Sequence, residues 1–156
     1  MERITASLPD SVAELALLRL GLQARSLSAW RFVRRLRGEI VAEARRAKTQ
    51  GEGLLHSEWF RLGIGHSGVL QYWRSFEALE AWARREPHAL WWRAAVERMR
   101  MRRDLGVYHE LYVVRPGDIE SIFIDCRPAG LAAFGVRGEP VGPSTTSRGR
   151  LGRSRA

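Results

Sequence analysis

Hydrophobic positions change their spacing several times along the chain, and each change marks an element. Residues 12–24, VAELALLRLGLQA, are apolar at nearly every position, as expected of a strand covered on both faces. A turn follows, with Ser28 placed to cap a helix. From Ala29 to Lys48 apolar residues such as Val33, Leu36, Ile40 and Ala44 recur at helical spacing, with Arg and Glu between them. Gly51 and Gly53 end that pattern.

Two strand-like runs come next, LLHSEWFRLG (54–63) and VLQYWR (69–74), joined by the glycine-rich IGHSG. Ser75 precedes a second helix, whose Phe76, Leu79 and Ala83 form one stripe. Pro87 suits the first turn of a third helix over residues 87–103. Helical spacing puts His88, Trp91, Trp92, Ala95 and Met99 on one face of it. VYHELYVVR (107–115) alternates as a strand, Pro116-Gly117-Asp118 turns, and residues 119–125 return as another. From Gly135 onward Gly, Pro, Ser, Thr and Arg dominate. One domain over residues 1–135, followed by a disordered basic tail over 136–156, is the expected organisation.

The order strand, helix, strand, strand, helix, strand predicts an α+β fold with a ferredoxin-like, split-βαβ antiparallel sheet. Its helices cover one sheet face. If both faces are apolar, the second needs cover as well, and pairing of two copies into a dimeric α/β barrel supplies it. A homodimer is therefore expected.

Composition narrows the partners. The net charge is +9, yet five arginines against Glu139 in residues 137–156 put +4 of it in the tail. The rest is spread over helices where Arg alternates with Glu, and no phosphate loop, zinc finger or basic-aromatic stretch is present. Nucleic acid is not the expected partner. The single cysteine, Cys126, cannot form an internal disulfide, which points to a reducing compartment, the cytoplasm. The residues before Leu22 lack the basic lead of a signal peptide. No run approaches the roughly 18 apolar residues of a membrane span, so no membrane partner is expected.

His88 and His109 are the candidate catalytic residues. His88 stands on the apolar face of the third helix, beside Trp91 and Trp92. It reads either as a general base or metal ligand, or as a helix-start histidine bonded to a neighbouring loop. His109 shares a strand face with Val107 and Leu111, while Tyr108, Glu110 and Tyr112 share the other. A histidine in that setting lines a pocket or makes a structural hydrogen bond. His56 and His66 read as solvent-exposed. Trp59, Trp73, Trp91, Trp92, Tyr108 and Phe123 are the candidate substrate-binding walls, although tryptophans also fill cores. Cys126 reads as an inert small hydrophobe.

Four blocks carry a family resemblance: QYWRSFEALEAWAR (71–84), PHALWW (87–92), GVYHELYVV (106–114) and IFIDCRPAGLAAFG (122–135). Together they resemble the monooxygenase-like proteins grouped with a fungal fumagillin-pathway relative, in the dimeric α/β-barrel superfamily. That superfamily also holds antibiotic-biosynthesis monooxygenases and, more remotely, heme-containing aldoxime dehydratases. The resemblance implies a cofactor-independent monooxygenase acting on an apolar or aromatic substrate. In such chemistry the deprotonated substrate itself reduces oxygen, and the protein supplies a base and an apolar cavity. Two alternatives stay open: a heme protein with His88 or His109 as axial ligand, and a non-catalytic small-molecule-binding module.

Overall fold

The computed structural model describes residues 1–152. Its centre is a four-stranded antiparallel sheet built from β2 (Leu15–Ala24), β3 (Leu54–Gly63), β4 (His66–Trp73) and β5 (Leu105–Val114), after a short N-terminal strand β1 (Arg3–Ser7). The strand order is β3-β4-β2-β5, so the first strand in the motif is central and the last is an edge. α1 (Leu27–Thr49) crosses from β2 to β3, and α2 (Phe76–Ala83) with α3 (His88–Arg102) crosses from β4 to β5. This is the ferredoxin-like α+β arrangement; within one chain the sheet stays open and does not close into a barrel.

The helices form where the spacing placed them, with shifts at the ends. The cap of α1 is Ser26, whose hydroxyl accepts from the Ala29 amide, and Ser28 falls inside the first turn. Ser26 is preferred because it sits in extended backbone just outside the helix, the geometry a cap requires. Its hydroxyl also donates to Asp104, which ion-pairs with Arg98 at 2.6 Å and anchors both helices to the start of β5. Ser75 caps α2 through the Ala78 amide. β2 begins at Leu15; Val12 is buried but lies in the preceding loop.

Register assigns side chains to faces. Leu18 pairs with Gln71 and Leu111, and Leu20 with Val69 and His109, so these face the helices. Ala16, Trp73, Leu79 and Trp82 form one core cluster beneath α2, and Leu22, Val33, Leu36, Ile40 and Ala95 another beneath α1 and α3. Each large aliphatic side chain buried there contributes about 1.5–3 kcal/mol.

The second sheet face departs from the expectation of an apolar surface. Arg19 bonds Glu110 at 2.8 Å and lies over the Phe60 and Tyr108 rings, and His66 is hydrogen-bonded to the Tyr108 hydroxyl at 3.0 Å. The Tyr108 ring rests against Gly21, where a β-carbon would meet it at 2.1 Å. Every second residue of a strand points this way, and apolar positions in β2 hid the polar ones among them.

One end of this face is covered by the chain's own termini. β1 pairs with β6 (Phe123–Ile124) on one side and β7 (Val136–Gly138) on the other. Ala6, Leu8, Val12, Leu131 and Ala132 then bury Tyr72, Leu55 and Val114. Residues 119–125 thus supply only a two-residue strand, and it pairs with β1 rather than returning beside β5. The expectation of a structureless tail over 136–156 fails as far as Gly152: β7, a 3-10 turn and the short α4 (Ser147–Arg150) follow one another. Arg150 is held by Glu120 and donates to the Ser144 carbonyl, so a charge at the end of the tail is satisfied by the body of the protein. The rest of that segment, 153–156, lies outside the described residues. Among the described residues no helix is long and apolar enough to cross a membrane.

Candidate functional site

A cavity of about 250 Å³ lies between the helix face of the sheet and α1 and α3. Leu18, Leu20 and Leu22 of β2 form its sheet wall, Leu36 and Ile40 of α1 its far side, and Val107 of β5 its flank. His88, Trp91, Trp92 and Ala95 reach it from α3, and His109 from β5. Two local periodicities therefore meet in one space: i, i+3, i+4 on α3 and alternation on β5. Its two imidazoles stand among apolar and aromatic side chains, the composition of small-molecule sites in general.

His88 is the better constrained of the two. It begins α3 next to the turn that follows α2, and its Nδ1 donates to the Ala83 carbonyl at 2.8 Å. A carbonyl only accepts, so the proton of the neutral ring sits on Nδ1 and Nε2 keeps its lone pair. Trp82 lies 4.9 Å from the His88 ring, centre to centre, and Trp91 lies 6.5 Å away. Burial pushes the His88 pKa below the ordinary histidine value, nearby His109 acts in the same direction, and the Ala83 carbonyl acts in the opposite one. His88 is therefore a neutral, half-buried imidazole near pH 7, with its basic nitrogen still available.

Two polar anchors hold the aromatic walls. The Trp91 indole donates to Glu39 of α1 at 2.8 Å. The Trp82 indole donates to Glu43, a buried carboxylate clamped by Arg46, which also binds Glu52 at 2.8 Å. Hydrogen bonds from Arg46 hold the Glu43 carboxyl below its usual range, so it stays charged and bound. At the mouth the side chains are freer: Trp92 is 45% exposed, and His109 is exposed with its ring 6.3 Å from that of Trp92.

The other residues read as candidates from the sequence do not reach this cavity. Trp73 is completely buried and packs on Trp82 as core. Trp59 lies on β3 beneath the Arg37 guanidinium, beside a separate groove lined by Trp30, Arg34 and Arg61. Tyr108 points to the second sheet face, and Phe123 sits in the small sheet packed on the terminal cluster. Nothing in the sequence ranks one indole as wall and another as core, because that choice depends on which helix lies above it. His56 and His66 are half-buried with partners, Glu58 at 3.4 Å and Tyr108, rather than exposed. Cys126 is exposed. Tyr72 packs at a tilt against His56 and Phe134 under the terminal cluster, and burial pushes its hydroxyl up to about 12, which removes it as a base near neutral pH.

The monooxygenase af470-like family model matches residues 15–131, from β2 through the segment that covers the second face. The chain belongs to that family. No curated protein matches it in sequence. Among solved structures, an aldoxime dehydratase (OxdRE) in complex with butyraldoxime aligns over 96% of this chain at a TM-score of 0.60 and 19% identity. The chain spans only 42% of that dehydratase, and at this identity the likeness is one of fold. SnoaB, a cofactor-independent oxygenase from Streptomyces nogalater, aligns at a TM-score of 0.43 and 11% identity, over 64% of this chain and 91% of SnoaB.

Heme is the cofactor alternative that the sequence left open, and the cavity can be tested against it. The donor is suitable: a histidine whose Nδ1 is fixed by a backbone carbonyl and whose Nε2 is available is the usual ligand arrangement. The space is not. Drug-sized ligands occupy about 300–1,000 Å³, a porphyrin is larger than most of them, and this cavity holds about 250 Å³. A heme there would require α3 and the sheet to move apart.

Proposed function

We propose that this protein is a cofactor-independent monooxygenase that binds a small apolar or aromatic substrate in the cavity between α3 and the sheet. His88 is the general base in this reading, and Trp91 and Trp92 are the substrate walls. The observation that carries it is the state of His88. Its ring is neutral, its tautomer is set by the Ala83 carbonyl, and its Nε2 is left for a substrate proton inside an apolar cavity. Removal of that proton leaves an electron-rich anion where water is scarce, and in this chemistry the anion is the reductant of oxygen. One oxygen atom enters the substrate and the other leaves as water, so a methylene oxidised to a carbonyl balances without an added reductant. His109, exposed at the mouth, passes the proton onward to solvent.

A homodimer is part of the proposal. The edge strand β5 exposes Leu111, Tyr112 and Val113, and among the described residues the terminal cluster covers only one end of the second face. A reducing compartment such as the cytoplasm would keep the exposed Cys126 a thiol.

Oxygen uptake by the purified protein over a panel of electron-rich aromatic substrates tests the activity. Uptake that His88→Gln abolishes supports the reading; uptake unchanged by His88→Gln removes His88 from the chemistry. Heme is the second reading, favoured by the fold likeness to the aldoxime dehydratase and by the free His88 Nε2, and opposed by the size of the cavity. A Soret band on reconstitution that His88→Gln eliminates would establish it.

A further inference from the structure

Behind the main cavity lies a chamber of about 20 Å³ that shares His88 and Trp91 with it and adds Gln71 and Trp82. That is room for one oxygen atom and little more, since a water needs at least about 10–15 Å³. Gln71 lies on β4 at an inward position between Val69 and Trp73 and is 1% exposed. Its Oε1 accepts from the Trp73 indole at 3.3 Å. An indole N–H only donates, so the amide cannot be turned the other way, and Nε2 occupies the opposite end. Nε2 is fully buried and has no hydrogen-bond partner among the described residues. A buried donor left unpartnered in the wall of a chamber calls for a group to fill it.

We propose that Gln71 is the specificity-determining residue of the cavity, donating through Nε2 to a single ligand oxygen in the chamber, and that this oxygen is a hydroxyl of a phenol or enol. The choice among oxygens follows from the pair of groups present. Gln71 Nε2 offers protons, whereas His88 Nε2 offers a lone pair, because His88 Nδ1 carries the ring proton toward Ala83. A hydroxyl meets both, accepting from Gln71 and donating to His88. A carbonyl or ether meets only the first, and a hydrocarbon neither. When the hydroxyl proton passes to His88 Nε2, the oxyanion keeps the Gln71 hydrogen bond and gains an imidazolium neighbour. The inference rests on the reading of the cavity as a small-molecule site and names the part of the ligand that enters first.

Three para-substituted benzenes separate the possibilities: 4-ethylphenol and 4-ethyltoluene, which have nearly the same shape, and the larger 4-ethylanisole, titrated by tryptophan fluorescence and calorimetry. The wild-type protein should bind the phenol at least about fivefold tighter than the hydrocarbon, the value of one net hydrogen bond, with the ether between them or below both. Gln71→Met should remove that preference while leaving hydrocarbon affinity within about twofold. Equal affinity for phenol and hydrocarbon in the wild type overturns the assignment, and so does a Gln71→Met variant that weakens all three alike. An ordered water between Gln71 Nε2 and the bound phenol overturns it too, since the donor would then belong to the water. If none of the three binds, the small-molecule reading of the cavity fails and this inference with it. The wild-type comparison needs no variant, so a Gln71→Met protein that does not fold leaves the decision to the ligand series.

Discussion

The two faces of the central sheet are made by the same strands and do opposite things with their polar groups. On the helix side, β2 presents Leu18, Leu20 and Leu22, and two of the polar atoms that line the cavity and its chamber are left over: Gln71 Nε2 has no partner among the described residues, and His88 Nε2 keeps its lone pair because Nδ1 makes the bond to Ala83. On the other side it presents Arg19, Gly21 and Gln23, and the ionisable groups nearby are matched: Arg19 with Glu110, His66 with Tyr108. A satisfied pair has little left to offer a ligand. An imidazole and an amide donor in an apolar chamber have nothing else to bind, and burial makes each strong. The comparison teaches that function here is marked by incomplete satisfaction rather than by the number of charged residues.

The sharpest way to break this contrast is to damage each face in turn. Trp73→Ala, which removes a fully buried ring from the helix side, should cost about 3–5 kcal/mol in denaturant unfolding. A loss under 1 kcal/mol would show that the helix-side core is not where stability resides. Next in size is His88→Gln, which should lower turnover by about 10²–10⁴-fold, the range of a lost general base.

The same substitution carries a pH signature. Because burial lowers the folded-state pKa of His88 below its ordinary value, the unfolded chain binds more protons in the window between the two. Stability should therefore rise with pH through that window, be complete above about pH 6.5, and fall as pH drops below it. His88→Gln should flatten this part of the profile; an unchanged slope would place its origin elsewhere.

Effects on the second face should be smaller. Deleting residues 136–156 removes β7 and the Arg150–Glu120 contact that help cover it. A loss of about 1 kcal/mol is expected, or about 2–4 °C in Tm for a domain of this size. No shift would mean the docked tail contributes nothing. Smallest of all is Arg19→Met: the pair it breaks is 37% and 41% exposed, solvent screens it, and unfolding should be nearly unchanged. A larger loss, appearing only at dimer-forming concentrations, would move this pair into an interface between copies.

Much of this could be read from spacing alone. The helical stripe of α1, the four long strands, and the apolar faces on which His88, Trp91, Trp92 and His109 stand all follow from local periodicity, because each depends on which way a residue points within its own element. Gln71 was legible in part: it stands at an inward position between Val69 and Trp73, and a polar residue there is a signal that periodicity can flag. What periodicity cannot supply is a partner. β1 pairs with β6 and β7 more than a hundred residues away, and no local pattern announces so distant a pairing.

The amino-acid order by itself determined the four long strands and the helices between them, their order, and hence the ferredoxin-like topology, since these rest on local propensity and short-range periodicity. Only the tertiary structure decided which tryptophan is core and which is wall, that the termini cover one end of the second face, and that the Ala83 carbonyl fixes the tautomer of His88. Those outcomes depend on which atoms come within hydrogen-bond or van der Waals reach, and such distances exist only once the whole chain has packed.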